Sequence, residues 1–210
     1  MKVLNLYAGI GGNRKLWEDV EVTAVEIVPE IAAIYQDFFP DDKVIIGDAH
    51  QYLLDHYKEF DFIWSSPPCI THSRFKEWAI KIEKQNPVYP DLVLYEEIIF
   101  LEKFCKSKWC VENVIGYYNP LIRPQNVGRH YFWANFLITD KYIPSSDIQY
   151  GTIDDWERIS GFDLSKYTGI DKRAILRSCV NPILGKHVLD CARGNTQVPL
   201  TKFSEVKVHE

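Results

Sequence analysis

Three segments of this 210-residue chain hold residue types that can do chemistry together. The first is Tyr7-Ala8-Gly9-Ile10-Gly11-Gly12. Glycines in such a turn let backbone come close to a bound molecule and leave helix N–H groups to face it. The plain alternative is a tight strand-to-helix turn. Two acids accompany it. Glu26 is placed to accept hydrogen bonds from ribose hydroxyls, and Asp48 to reach an adenine amino group; each is equally able to cap a helix. The turn lacks the G-x-G-x-x-G order, which favours a compact adenosine ligand over a nicotinamide dinucleotide. The second segment is Pro67-Pro68-Cys69. Two prolines stiffen the backbone and fix where the next side chain points. A cysteine held there among basic neighbours has the setting of a nucleophile with a lowered pKa. The third is Glu112-Asn113-Val114, in which a carboxylate at a strand end can give or hold a proton, unless the pair caps a helix.

The elements that must position these residues follow from hydrophobic periodicity. Short β-branched runs predict strands over 3–7, 22–27, 43–46, 60–64 and 109–111. Between them, helical spacing predicts helices over 13–19, from Pro29 through Phe38, over 49–57 and over 92–105. Strand–helix alternation of this kind predicts an α/β, doubly wound, mostly parallel sheet. Ligands in such sheets bind beyond the carboxyl ends of the strands. Gly9–Gly12, Glu26, Asp48, Cys69 and Glu112 all fall at those ends. Beyond about residue 136 the pattern loosens, and 142–172 reads as polar and turn-rich.

Composition narrows the class. With 46% hydrophobic and 14% aromatic residues the chain buries a core rather than remaining disordered, and its length suits one domain. No run approaches the ~20 apolar residues of a membrane span, and the first residues do not read as a signal peptide. Five cysteines without a C-x-x-C pair or an H-E-x-x-H motif point to a reducing, cytoplasmic setting without zinc. Of these, Cys105, Cys110, Cys179 and Cys191 read as inert. The net charge of −5 argues mildly against a polyanionic partner, but basic residues cluster locally. One cluster is Lys172, Arg173, Arg177, Lys186, Arg193 and Lys202; the other is His72, Arg74, Lys76, Lys81 and Lys84.

Taken together these segments resemble the DNA (cytosine-5)-methyltransferases. Asn5 to Gly12 resembles that family's first motif, Pro67-Pro68-Cys69-Ile70-Thr71-His72-Ser73 its Pro-Cys motif, and Glu112-Asn113-Val114 its Glu-Asn-Val motif. Pro124-Gln125 with Arg129-His130-Tyr131 resembles its Gln-x-Arg-x-Arg motif, and Cys179-Val180-Asn181-Pro182, more loosely, its last. The motifs run in family order from about 5 to 185.

The resemblance implies a class I, S-adenosylmethionine-dependent fold and methylation of cytosine C5 in double-stranded DNA, with the base flipped out. It implies that Cys69 attacks C6, that Glu112 holds N3 and the exocyclic amine, and that Arg129 contacts the base carbonyl or orients Glu112. Tyr7, Ala8, Gly9, Ile10, Gly11 and Gly12 would surround the methionine and adenosine parts of the cofactor. Glu26 and Ile27 would meet the ribose, Asp48 and Ala49 the adenine, and Pro68 and Asn181 would complete the site. Ser73 and Arg74 would contact phosphates.

Three departures stand out. Ile70 occupies the usual glutamine position after the cysteine, and Val127 replaces the first arginine of its motif. Only about 45 residues separate Phe136 from Asn181, too few for a separate recognition domain of ~100 residues. The expected organisation is thus one catalytic domain over 1–210 with a reduced insertion at 137–178. Target reading then falls to that insertion or to a partner subunit, or is relaxed. Such compact enzymes resemble those of phages and mobile elements, some of which accompany restriction systems. One family branch methylates tRNA, so a folded RNA is an alternative substrate. Ser66-Pro67-Pro68 also resembles the start of the amino-methyltransferase motif, but Cys69 stands where that motif has an aromatic. A cofactor-binding module that needs a partner for activity is the remaining alternative.

Overall fold

The computed structural model describes residues 1–83, 86–139 and 151–194. Seven strands form one sheet: β1 (Lys2–Leu6), β2 (Glu21–Glu26), β3 (Lys43–Ile46), β4 (Phe62–Ser65), β5 (Lys108–Val114), β6 (Gln125–Val127) and β7 (His130–Ala134). Their order is β3-β2-β1-β4-β5-β7-β6. All neighbouring pairs from β3 to β5 are parallel; β7 runs antiparallel to both β5 and β6. The winding reverses between β1 and β4, so the loops after those two strands diverge and leave a crevice. Leu6 pairs with Ser65 across that point, so Tyr7–Gly12 and Ser66–Cys69 leave the sheet at one level.

Alternating side chains sort the sheet into two faces. Val3, Phe62, Trp64 and Cys110 pack with Trp17 against Leu184, Val188 and Leu189 of α7 (Pro182–Ala192). Leu4, Leu6, Ile63, Trp109 and Val111 pack against α2 (Ala49–His56) and α4 (Val93–Phe104). A smaller cluster joins Ile10 and Ile34 of α1 (Pro29–Phe38) to Trp156, Phe162, Leu164 and Leu176. Those residues belong to α5 (Ile153–Ser160), to the loop after it, and to α6 (Lys172–Ser178).

The helix expected over 13–19 does not form: residues 12–16 are turns. Asn13 is drawn inward, its amide donating to Asn5 at 2.8 Å in the buried interior. The C-terminal helix takes the vacant place. Trp17 Nε1 donates to the Gly185 carbonyl at 3.0 Å, and a Cβ on Gly185 would lie 2.2 Å from the Asn13 oxygen. This contact joins residues 168 positions apart, which no local pattern encodes.

Three further elements depart from expectation. Residues 74–82, for which the periodicity gave no element, form α3 (Arg74–Ile82), with Ser73 as the N-cap accepting from Lys76 N. The β6–β7 hairpin turns on Gly128-Arg129, and its polar sequence hides the strands. Within 142–172, residues 151–172 hold the ordered helix α5, whose capping box pairs Thr152 with Asp155 and whose C-cap is Gly161. Residues 142–150, Lys84 and Lys202 lie outside the described residues. No described helix is long and apolar enough to cross a membrane.

Candidate active site

The glycine turn follows β1 directly and carries the backbone through unusual conformations. Tyr7 has φ +55°, Gly9 +54° and Gly11 +86°. Positive φ suits glycine, and at Gly11 a side chain would also strike the Phe39 ring. Because no helix follows, helix N–H groups are not available to a ligand. The Ala8, Gly9 and Gly11 amides are instead taken by the Val25 carbonyl, the Glu26 carboxylate and the Ala8 carbonyl.

Glu26 braces this turn. Its two oxygens accept from Gly9 N at 2.9 Å and Val28 N at 3.0 Å, and each oxygen keeps a lone pair. Asp48 caps α2, with one oxygen accepting from Gln51 N at 2.9 Å. Asn181 caps α7 by accepting from Ile183 N. The capping alternative is therefore realised at Asp48, which keeps a second oxygen in solvent, and Asn181 likewise serves as a cap. Ile27 and Ile46 are exposed at the ends of β2 and β3, next to Asp48, whereas Ala49 is buried. Open space surrounds the Gly9 Cα. Flat apolar surface, free acceptors and an unobstructed glycine fit an adenosine-type cofactor.

Tyr7 is held from behind by a residue that sequence reading passed over. Glu97 of α4 is fully buried and accepts from the Tyr7 hydroxyl at 2.6 Å and from the Ser65 hydroxyl at 2.5 Å. His50 Nδ1 lies 3.2 Å away. Burial pushes the Glu97 carboxyl up, and these hydrogen bonds pull against it. One carboxylate thus ties the carboxyl ends of β1 and β4 to α2 and α4. On the sequence Glu97 reads only as one acid in an amphipathic helix.

Cys69 follows Pro67-Pro68 at the end of β4. Asn113 Nδ2 donates to the Pro67 carbonyl at 2.9 Å and locks that segment to β5. The Cys69 carbonyl accepts from His72 N and Ser73 N, which starts the turn into α3. The thiol pKa is raised, first by burial and then by the charge of Glu112, with Arg177 opposing. The expected lowering by basic neighbours does not occur, because burial, reinforced by the carboxylate, outweighs Arg177. The thiol with a lowered pKa is Cys191: burial works against it, but hydrogen bonding to His187 and Thr139 brings it to about 7. Cys105, Cys110 and Cys179 are raised by burial, as expected of inert thiols.

Glu112 lies inside β5, not beyond its end, and is 6% exposed. Its Oε2 accepts from Ser66 Oγ at 2.9 Å, and Ser66 in turn accepts from Trp64 Nε1 at 2.7 Å. Its other oxygen faces His130 Nε2 at 3.7 Å. The residue beside Glu112 is therefore His130 rather than Arg129, which is exposed on the hairpin turn. The antiparallel register explains this: Val114 pairs with His130 and Glu112 with Phe132, so His130 is the diagonal neighbour of Glu112.

The basic segment after Cys69 is only partly a charged surface. His72 is buried, donates or accepts at Tyr118 OH over 2.6 Å, and has its pKa lowered by burial. Ser73 spends its hydroxyl on the α3 cap, and Arg74 Nε reaches the Gly116 carbonyl at 3.4 Å. Lys81 pairs with Glu77, and Lys186 with Asp190.

A cysteine on a turn locked by Asn113 and a carboxylate near enough to raise its pKa now stand together at the switch point. Residues 1–98 match the family model of the C-5 cytosine-specific DNA methylases. The methylase match covers the glycine turn, Glu26, Asp48 and Cys69, and ends just short of Glu112. Among solved structures, Entamoeba histolytica methyltransferase EhMeth aligns over 94% of this chain and 99% of its own at 9% identity, TM-score 0.51, which supports the fold. A variant of Spodoptera frugiperda DNMT2 is 28% identical over 57% of this chain, TM-score 0.41. The present chain spans only 37% of the DNMT2 chain. A protein named as an E. coli prophage DNA modification methyltransferase is 17% identical, over 81% of this chain and 56% of its own, TM-score 0.44. A search of curated proteins gave no match.

Proposed function

We propose that the chain methylates C5 of cytosine in double-stranded DNA, with S-adenosylmethionine as cofactor and Cys69 as nucleophile. The observation that carries this reading is the pairing of Cys69, fixed by Pro67 and Asn113, with Glu112, itself fixed by Ser66 and His130. The Cys69 thiolate adds to C6 of a flipped-out cytosine, which makes C5 nucleophilic. Glu112 hydrogen-bonds N3 and the exocyclic amine, stabilising charge that develops on the ring. The cofactor, when bound, supplies the electrophilic methyl group. Loss of the C5 proton and expulsion of Cys69 then restore the aromatic ring.

A thiol with a raised pKa suits a nucleophile that must stay protonated until substrate fills the site. Glu26 would hold the ribose with its remaining lone pairs and Asp48 the adenine edge with its free oxygen. Ile27, Ile46 and the open side of Gly9 would bound the cofactor's flat surfaces. Ser66 and His130 act through Glu112 as positioning residues. Arg129, on the adjacent hairpin turn, would contact the base carbonyl or the nucleic acid backbone. The helical segment 151–178 stands in for a recognition domain, and it packs on the cofactor-turn side through Ile10 and Ile34.

The test is methyl transfer from labelled S-adenosylmethionine to mixed-sequence duplex DNA and, separately, to tRNA, with product nucleosides identified by mass. 5-Methylcytosine in DNA that vanishes in Cys69→Ala is the expected result. Labelling of tRNA alone would move the substrate to RNA, and full activity of Cys69→Ala would overturn the mechanism.

A further inference from the structure

Helix α3 turns its apolar stripe outward. Phe75, Trp78 and Ile82 are spaced i, i+3 and i+7, and Phe75 is 62% exposed and Trp78 50%. The two rings stack, with centroids 5.8 Å apart and planes at 28°. A contiguous exposed aromatic surface marks an interaction site more often than chance exposure. The helix that carries it is firmly anchored. Ser73 caps it and bridges Gly116, and His72 is fastened to Tyr118. It begins five residues after Cys69, so its outer face borders the mouth of the candidate active site.

The opposite border comes from α6, about 100 residues later. Arg177 places its guanidinium carbon 5.9 Å from the Phe75 ring centroid and lies near enough to Cys69 to favour the thiolate. Arg177 is exposed, and no carboxylate among the described residues pairs with it. Arg74 adds an exposed cation at the start of α3. A purely apolar partner would leave this guanidinium unanswered. A nucleic acid strand answers both features, since its bases have π faces and its phosphates are anions.

We propose that Phe75, Trp78 and Arg177 form a clamp that holds the DNA strand beside Cys69. A base flanking the target cytosine stacks on the Phe75–Trp78 pair, and Arg177 takes a phosphate next to the flipped nucleotide. This rests on the cytosine-methylase reading above and names how so short a chain grips its substrate.

The test uses the full chain with a fluorescein-labelled cytosine-containing oligonucleotide, as single strand and as duplex, followed by anisotropy over a salt series. Arg177→Gln is expected to weaken binding roughly tenfold and to flatten the log Kd against log salt slope by about one phosphate contact. Arg177→Lys should recover most of that slope. Trp78→Ala is expected to weaken binding roughly tenfold with the salt slope unchanged. Calorimetric binding of S-adenosylmethionine, unchanged in all three variants, verifies that they are folded. Wild-type affinity in both Arg177→Gln and Trp78→Ala overturns the clamp, and so does a wild-type chain that binds none of the oligonucleotides. A change confined to the rate of Cys69 alkylation in Arg177→Gln also overturns it, since Arg177 would then serve the thiol alone. If the clamp fails while wild-type protein still forms 5-methylcytosine, only the clamp is wrong. If no 5-methylcytosine forms yet the variants still lose affinity, the methylase reading fails and the binding surface stands.

Discussion

The Tyr7 hydroxyl donates to the Glu97 carboxylate at 2.6 Å, joining the first residue after β1 to the middle of α4. Tyr7 sits at φ +55°, a conformation that costs a non-glycine residue about 1–3 kcal/mol. This part-buried bond ties the Tyr7 side chain to α4. Tyr7→Phe removes the donor and leaves Glu97 short of a partner, at a cost of roughly 1–3 kcal/mol in urea unfolding. Because the turn then relaxes, affinity for S-adenosylmethionine should fall several-fold in calorimetry. Unchanged affinity would show that the turn does not depend on this bond.

Glu97 also sets a pH dependence. Its carboxyl is raised by burial, so the folded chain binds that proton more tightly than the unfolded chain does. Its contribution is fully present below the ordinary carboxyl range and is lost as pH rises through the shifted value. Glu97→Gln should flatten that part of the stability curve, measured by denaturant melts between pH 4 and 8. A curve of wild-type slope in the variant would assign the effect to other groups.

Cys69 should alkylate late. Its thiol is raised by burial and by Glu112, so its iodoacetamide rate should climb at a higher pH than that of a free cysteine. Glu112→Gln removes the second cause and should move the curve to lower pH. A Cys191→Ser background keeps the thiol with the depressed pKa out of the signal. A Cys69 profile that begins below that of free cysteine would reverse the assignment.

Ser66 and His130 should matter through Glu112. Glu112→Gln is expected to cut methyl transfer by ~10²–10⁴-fold. Ser66→Ala and His130→Ala should lower kcat by smaller factors while leaving cofactor affinity intact. The double variant should be less than multiplicative, because both hold one carboxylate. Full multiplicativity would argue for separate roles.

Gly185 tests the seam between the chain ends. Its Cβ would strike the Asn13 backbone, so Gly185→Ala should cost about 1–3 kcal/mol or more in urea unfolding. Because Asn13 adjoins the glycine turn, cofactor binding should weaken alongside. A neutral substitution would mean that α7 can slide over residues 12–17 without loss.

The sequence alone determined strands β1 to β5 and the helices α1, α2 and α4 between them, and with these the parallel core of the sheet. Period-2 runs such as Phe62–Ser65 and the helical spacing of α4 are local properties that survive without tertiary context. Motif order likewise put Cys69 and the glycine turn beyond strand ends on the same side of the sheet, whereas Glu112 lies inside β5. The capping box of Thr152 with Asp155 and the C-cap Gly161 were equally legible in principle, since caps are local, but they lay in a stretch that reads as polar.

Only the tertiary structure decided the rest, and in each case the deciding contact joins distant residues. Residues 13–17 give up a helix because Asn5, Gly185 and Trp17 make better use of them in the interior. His130, not Arg129, neighbours Glu112 because antiparallel register sets which side chain is diagonal to it. The ionisation of Cys69 depends on how burial and a carboxylate balance against a distant arginine, and Glu97 acquires its role from three other elements. Sequence spacing fixes the direction of a side chain along its own element; what it meets there is decided by packing.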